Sequence, residues 1–416
     1  MQSQHVSNGL DRDERRSAAR ILTINTGSSS LKAALYAIGT GDPARQRSFQ
    51  VERIGSDQAR SSIRSSGEDP EIQTGRFPDH ASALGWVLAD LNHRNLISGI
   101  AAVGHRIVHG GPRYSAPERV SPEMIAAFRK LFAIDPEHLP QAAAAMRTIA
   151  NRFPDLPQIA CFDTHFHDAM PAVAKLLPLP RWLMDEGVRR YGFHGLSYES
   201  IMAQLARVDP ATARGRIVIA HLGAGASMVA VRDGRSVDTT MGFTPSGGLM
   251  MGTRPGDLDP GLLLYLLQVR AMSADAINRL LNKESGLLGV SGASQDLRDL
   301  LAAEASDQRA QEAVALFCHI AKKHLAGLSA VLGGIDTLIF TGGIGEHAAP
   351  VRSRVCDGLD FIGIEIDPDR NAARESIISP DGAATTVRVM QTDEELTVAR
   401  HTVRLIASEG STHVAF

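Results

Sequence analysis

Several things are scarce in this chain of 416 residues. It has three cysteines, two tryptophans and 5% aromatic residues in all. The cysteines, Cys161, Cys318 and Cys356, are odd in number and far apart. No CxxC pair exists, which excludes a zinc ribbon, a thioredoxin-like motif and a disulfide framework, and points to a reducing cytoplasm. Long apolar runs are absent too. Leu262 to Leu267 is among the longest, far short of the roughly 20 residues of a membrane span. Charge of one sign is lacking: 43 basic and 46 acidic residues leave a formal net charge of -3. So balanced a chain gives no reason to expect nucleic acid or anionic lipid as a partner. The first twenty residues have no apolar core, so no signal peptide is expected. Residues 1–19 read as a polar, mobile tail.

What is present is an ordinary globular composition, 44% hydrophobic, with one surplus. There are 38 glycines, above the average of about 7% and without a short period. Many places in the chain call for close backbone approach or positive φ. Ile21–Ile24 reads as a strand, followed by a tight loop and a second strand, Leu31–Ile38. Residues 40 to 80 read as exposed strands and loops. The spacing of Ala83, Leu84, Val87, Leu88 and Leu91 predicts a helix over 81–97. Ile100–Val108 reads as a buried strand. Ser121, Pro122 and Glu123 open a helix to about Ala133. Another helix follows Pro140, then a strand over Gln158–Asp163. The second half repeats this outline, with the strand Arg216–Ala220, a small-residue loop and a returning strand. Helices are expected at 273–283, 310–332 and 394–407, and strands at Asp336–Thr341 and Val387–Gln391. Strands mixed with amphipathic helices on this scale give an α/β architecture.

Three strand ends run into small residues: Asn25–Ser30, His221–Ser227 and Thr341–Gly345. Each offers backbone N–H groups and hydroxyls with few side chains in the way, as a phosphate chain needs. None matches GxxxxGK[ST], and none is a full GxGxxG opening a helix, so neither a P-loop nor a dinucleotide fingerprint is present. Arg106, in an apolar strand before Gly110-Gly111, and Arg254, in GTRPGD, suit bidentate binding of carboxylate or phosphate. Structural ion pairs with Asp163 or Asp257 are the alternative. Asp163 ends a strand, where a carboxylate can orient Mg²⁺ or its waters. His165, His167 and His194 lack the HExxH or cysteine partners of a zinc site.

In chain order INTGSSSLK, GHRIVHGG, FDTHFH, YGFHG, HLGAGAS, MGFTPSGGLMMGTRPGDLDPG, FTGGIGE and TDEELTVAR resemble the acetate and propionate kinase family, within the actin, hexokinase and Hsp70 superfamily. The resemblance spans roughly Ile21 to Thr402. It implies a duplicated ribonuclease H-like, actin-like ATPase fold of two domains with a central active-site cleft. The first domain would take residues 20–163 plus 392–416, the second 164–391. It implies Mg²⁺-dependent (or Mn²⁺-dependent) reversible phosphoryl transfer from ATP to acetate, in a cytoplasmic homodimer. Catalysis would fall to Asp163, Arg106, His194 and Arg254. Arg106, Val108 and Pro245 would bind the acid, and Asn25 and Glu394 the metal. ATP would meet Ser28, Ser30 and Lys32, then His221, Leu222, Gly223, Ala224 and Gly225. It would also meet Asp296, Leu297 and Arg298, and then Gly342, Gly343, Ile344, Gly345 and Glu346.

A carboxylic acid is already an anion at pH 7 and needs no base. Its problem is approach to a polyanion, which cations and donors relieve. Asp163 therefore reads better as orienting an arginine or metal than as a base. Four departures from the family pattern stand out. Ala224 replaces the usual Asn, and Glu137 replaces a leucine expected at the acyl pocket. Ser246-Gly247 stands in the usual PLEGL, and Leu196-Ser197-Tyr198 in place of TSH. Other readings are a propionate or butyrate kinase and, in a different class, an Hsp70-like or actin-like ATPase.

Overall fold

The computed structural model describes residues 19–132 and 135–412; most of the expected 1–19 tail and the last residue of the helix expected to reach Ala133 lie outside this range. The chain divides into two compact units. One holds the chain up to His165 together with the stretch from Asp393 on, and the other is Phe166–Thr392. No described helix is long and apolar enough to cross a membrane.

In the first unit, β1 (Arg20–Thr26) and β2 (Ser30–Ala37) form a hairpin closed by Gly27 N–H donating to the Ser30 carbonyl at 2.8 Å. β1 is buried along nearly its whole length, Thr23 and Thr26 included, because it is central and covered on both faces. β3 (Ala44–Glu52), β4 (Ala59–Ser65) and β5 (Glu71–Gly75) extend the antiparallel side. On the other side β6 (Ile100–Ile107) runs parallel to β1, and β8 (Gln158–Phe162) parallel to β6. The two-residue β7 (Glu118–Arg119) pairs antiparallel with β8 at the edge. The order is β5-β4-β3-β2-β1-β6-β8-β7.

The second unit repeats the inner part of that order. β9 (Arg216–Leu222) and β10 (Ala226–Arg232) form a hairpin, and β11 (Arg235–Thr239) pairs antiparallel with β10. β12 (Thr337–Thr341) and β13 (Thr386–Val389) are parallel to β9. The order β11-β10-β9-β12-β13 has three antiparallel strands followed by two parallel ones, matching β3-β2-β1-β6-β8. Both units thus carry the ribonuclease H-like sheet, and the faint repeat in the sequence is a repeat of topology.

Helices cover both faces of the first sheet. Helix His80–His93 opens on a capping box between Asp79 and Ser82 and buries Leu84, Val87, Leu88 and Leu91 against Leu22, Leu31, Leu35 and Phe49. Helix Pro122–Leu131 starts as its sequence demands, with Ser121 accepting from Met124 N–H. On the other face lies the helix Glu394–Thr412. Its seat depends on Gly104: a Cβ there would sit 2.3 Å from Thr402 Oγ1 and 2.6 Å from Val398 Cγ1. Only a residue without a side chain lets this helix rest on β6, and the helix begins with Glu394.

Candidate active site

In the first unit the parallel strands β1, β6 and β8 end at one edge of the sheet, where ligands of open α/β sheets gather. β1 brings Asn25 there, β6 brings Arg106, and Asp163 follows β8. The guanidinium of Arg106 donates to Asp163 through Nε (2.9 Å) and Nη2 (2.7 Å). Its third nitrogen, Nη1, donates to Asn25 Oδ1 at 3.3 Å and pairs with Glu394 Oε2 at 3.2 Å. Three of the expected site residues therefore converge on the fourth. The Asp163 carboxylate is 1% exposed. Burial alone would weaken the guanidinium's hold on its proton, but the Asp163 and Glu394 charges outweigh it and push the Arg106 pKa up.

Lys32 stands opposite Asn25 across the β1–β2 pair, hence on the same face. Its ammonium and the Arg45 guanidinium face Glu395, whose carboxyl burial raises and those two charges partly restrain. Arg45 Nη2 donates to Asp393 Oδ1 at 2.6 Å and to the Tyr36 hydroxyl at 2.8 Å, tying the first turn of the Glu394 helix to β2 and β3. Nothing in the sequence patterning singled Arg45 out. Ser28 is exposed at the hairpin tip and Ser30 opens β2, while Val108 is buried just past the end of β6. Glu137 is half-buried in the turn before helix Leu139–Arg152.

The second unit gathers the other expected residues. The turn between β9 and β10 is closed by Gly223 N–H donating to the Gly225 carbonyl at 3.0 Å, and Gly252 N–H donates to the Ala224 carbonyl at 3.1 Å. This brings the GTRPGD segment against the HLGAG loop. A Cβ built on Gly225 would lie 2.9 Å from Arg254 Nη2 and 3.3 Å from His194 Nε2. Arg254 and His194 thus bring a guanidinium nitrogen and a ring nitrogen to one spot on the loop crest. Arg254 Nη1 donates to the Pro245 carbonyl at 2.6 Å. Asp257, the alternative partner for Arg254, accepts instead from Gly248 N–H at 2.7 Å.

His194 sits in the left-handed region at φ 60 as the N-cap of helix Gly195–Val208, a conformation that costs about 1–2 kcal/mol outside glycine. Its neighbours hold it there. His167, fully buried, donates through Nε2 to the Phe193 carbonyl at 3.0 Å and contacts Ser236 through Nδ1. The His194 ring stacks on His221 with centroids 4.3 Å apart. Its Nδ1 lies 2.9 Å from Ser227 Oγ, and His221 Nδ1 lies 2.8 Å from Ser197 Oγ. His167 and His194 so serve different ends: one braces the backbone, the other faces the loop.

The third small-residue junction differs from expectation. Gly342–His347 is a short helix starting directly at the end of β12, not a loop. Gly342 takes φ +77, and a Cβ there would meet the Leu222 carbonyl at 2.7 Å, so the glycine is needed for β12 to end beside β9. Gly343, Ile344 and Gly345 lie within this helix. Glu346 turns back, and its Oε1 accepts from Gly342 N–H at 3.0 Å. Arg352, fully buried, donates to the Gly345 and Glu346 carbonyls and fixes the far end. Asp296 caps helix Leu297–Ala303 by accepting from Arg298 N–H at 2.9 Å, and also pairs with the exposed Arg298 side chain. The Gln295 carbonyl lies against Gly252, which brings this cap next to the Ala224 loop.

Residues 20–400 match the family model described as the acetokinase family. The chain belongs to the acetokinase family. An acetate kinase of Rhodopseudomonas palustris (strain ATCC BAA-98 / CGA009) is 46% identical over 92% of this chain and 98% of that protein. The crystal structure of Porphyromonas gingivalis acetate kinase is 35% identical, covers 93% of this chain and all of that one, and superposes with a TM-score of 0.82. A propionate kinase from Francisella tularensis subsp. tularensis SCHU S4 is 32% identical over 92% of this chain and 98% of that one, with a TM-score of 0.85. Against the acetokinase pattern, Ala224 places an exposed methyl where the family usually has an amide.

Proposed function

We propose that this chain catalyses reversible, Mg²⁺-dependent transfer of the γ-phosphoryl group of ATP to acetate, giving acetyl phosphate and ADP by direct in-line attack. The convergence of Arg254 Nη2 and His194 Nε2 on the Gly225 crest carries this reading. It supplies a cation and an imidazole nitrogen at a strand-end loop with little side chain in the way. Phosphoryl transfer asks for little beyond position and charge stabilisation. Arg254 and His194 donate to the equatorial oxygens of the group in flight. Arg106 presents its guanidinium to the acetate carboxylate, which is already ionised at pH 7. Asp163 orients Arg106 and takes no proton from substrate. Val108 and Pro245 border the methyl group. The backbone of His221–Gly225 receives phosphate, with Ser28, Ser30 and Lys32 on the other phosphate hairpin. Asp296–Arg298 and Gly342–Glu346 receive the adenosine.

Asn25 Oδ1 and Glu394 Oε2 both reach one cationic nitrogen of Arg106, so their oxygens already converge on positive charge. An amide and a carboxylate oxygen are hard donors of the kind Mg²⁺ takes, the rest of its shell coming from phosphates and water. No group of three or more His, Cys, Asp or Glu among the described residues is placed to hold a metal ion. Bound there, Mg²⁺ would neutralise charge on the phosphate oxygens.

A homodimer follows from the same family reading, and one surface favours it. Helix Pro260–Gln268 buries none of its residues within the chain. Leu258, Leu262, Leu263, Leu264, Tyr265 and Leu267 are all exposed by 36% or more, an apolar patch that a second copy would cover. Light scattering on the purified protein reads this directly, and a monomer mass at micromolar concentration contradicts it. A reducing cytoplasm suits the three free, buried cysteines. Burial pushes the thiols of Cys318 and Cys356 up to about 11 and about 12, where they stay protonated.

The activity is tested by ADP release on addition of acetate, propionate or butyrate to enzyme and MgATP. The highest kcat/KM is expected with acetate. ADP release indifferent to added acid would overturn the reading, and a preference for propionate would move the substrate by one methylene.

A further inference from the structure

Tyr198 is one of the departures from the acetokinase pattern, standing where a histidine is usual, and the structure gives it a partner. Tyr198 lies one turn below His194: its N–H donates to the His194 carbonyl at 3.1 Å in the first turn of helix Gly195–Val208. Its ring is fully buried between Phe166 and His167, with centroids 6.0 and 5.7 Å away. Its hydroxyl reaches Ser227 Oγ. Ser227, also fully buried on β10, is the residue that meets His194 Nδ1 at 2.9 Å. The other ring nitrogen, Nε2, is the one beside Gly225 and Arg254.

We propose that Tyr198, through Ser227, is a positioning residue that holds the neutral His194 ring in the tautomer whose proton is on Nε2, aimed at the loop crest. A serine hydroxyl has a single proton to give. The phenol, with an ordinary pKa near 10, is more acidic than an alcohol and is the donor between the two. Ser227 accepts from Tyr198 and passes its own proton's hydrogen bond to His194 Nδ1. Nδ1 must then present its lone pair, which leaves the proton on Nε2. Without the phenol, Ser227 is free to accept from Nδ1–H instead, and Nε2 would turn a lone pair toward an anion. The kinetic consequence rests on the phosphoryl-transfer reading; the tautomer does not.

The test is a long-range ¹H–¹⁵N spectrum of protein labelled in its histidines, with the His194 signals assigned by their loss in His194→Gln. The expected spectrum has a pyridine-like Nδ1 and a pyrrole-like Nε2 in the native protein. In Tyr198→Phe, which removes one oxygen and keeps the packing, Nδ1 gains pyrrole character. Tyr198→His, restoring a ring N–H donor, returns the native pattern. In parallel kcat should fall about tenfold in Tyr198→Phe, the low end of the effect of losing a partner that orients a functional imidazole. KM for acid and nucleotide should stay within about twofold, because the contact acts on the transferring group. A native His194 with its proton on Nδ1, a doubly protonated ring, or a tautomer unchanged in Tyr198→Phe overturns the proposal. If the tautomer shifts as expected while the native protein shows no acid-dependent turnover, the positioning role stands and the functional reading fails.

Discussion

Arg106 and Asp163 face each other through two parallel hydrogen bonds, Nε to Oδ1 at 2.9 Å and Nη2 to Oδ2 at 2.7 Å. The carboxylate is sealed from solvent while 18% of the arginine side chain remains open. The pair thus has a buried end that fixes geometry and an open end, Nη1, that is shared with Asn25 and Glu394. Removing one member of such a pair leaves a desolvated charge behind, at a cost of about 3–5 kcal/mol. Asp163→Ala should show this as a lower urea midpoint, toward the small end because Glu394 still faces the guanidinium. The double variant Arg106→Leu/Asp163→Leu should recover most of the stability and none of the activity. A double variant as unstable as Asp163→Ala would show that the pair does more than balance charge.

The two arginines carry the charge argument. Arg106→Ala and Arg254→Ala should each lower kcat by about 10²-fold or more, the scale of losing a preorganised donor to transition-state charge. Lysine should not restore Arg106, since a single ammonium cannot bridge both Asp163 oxygens. Near-normal turnover in both alanine variants would remove both residues from the chemistry.

Gly225 offers a finer probe, because the fold does not need it and the site does. An alanine methyl there would press on Arg254 Nη2 at 2.9 Å and His194 Nε2 at 3.3 Å. Displacing reacting groups by about 1 Å costs up to about 10²-fold. Gly225→Ala should therefore lose kcat while its melting temperature stays close to native. Gly104→Ala should do the reverse in order of severity, losing stability first, since its methyl would overlap Thr402 and Val398 in the core.

Acid should weaken the fold through two buried histidines. Burial depresses His105 and His167 to about 4 each, against the ordinary 6.5, with Gln158 and the Phe193 carbonyl opposing. Between pH 6.5 and 4 the unfolded chain binds protons that the folded chain refuses, so stability is full above pH 6.5 and falls as pH drops. At pH 5 each contributes a loss of about 2 kcal/mol. The difference in unfolding free energy between pH 7 and pH 5 should shrink by about that much in His105→Leu. An unchanged pH dependence in that variant would show that His105 is not the group that titrates.

Much of this molecule could be read from its residues, and the parts that could not share a physical reason. Strand–loop–strand over 21–38 and 216–232 was legible because the central strands carry short apolar runs, Ile21-Leu22 and Ile217–Ala220, and their turns are small. Arg106 with Asp163 was legible as a possible ion pair, and the structure makes that pair part of the site. The Gly342–His347 helix was hidden because glycines argue against a helix, whereas here φ +77 at Gly342 and the Glu346 and Arg352 bonds fix it. The run Leu262–Leu267 was legible as apolar, but its exposure was not, since composition does not say what a surface meets. Arg45, Ser227 and Tyr198 act through partners distant in sequence, such as Asp393 for Arg45, which no local pattern records.

The most direct test of the central claim is to trap the product. Enzyme, MgATP, acetate and hydroxylamine are incubated together, and acetyl hydroxamate and ADP are measured in the same samples. A new carboxyl–phosphoryl bond predicts hydroxamate and ADP formed in equal amounts, both dependent on acetate and both lost in Arg106→Ala and Arg254→Ala. ADP formed without hydroxamate, at a rate that ignores acetate, would contradict it.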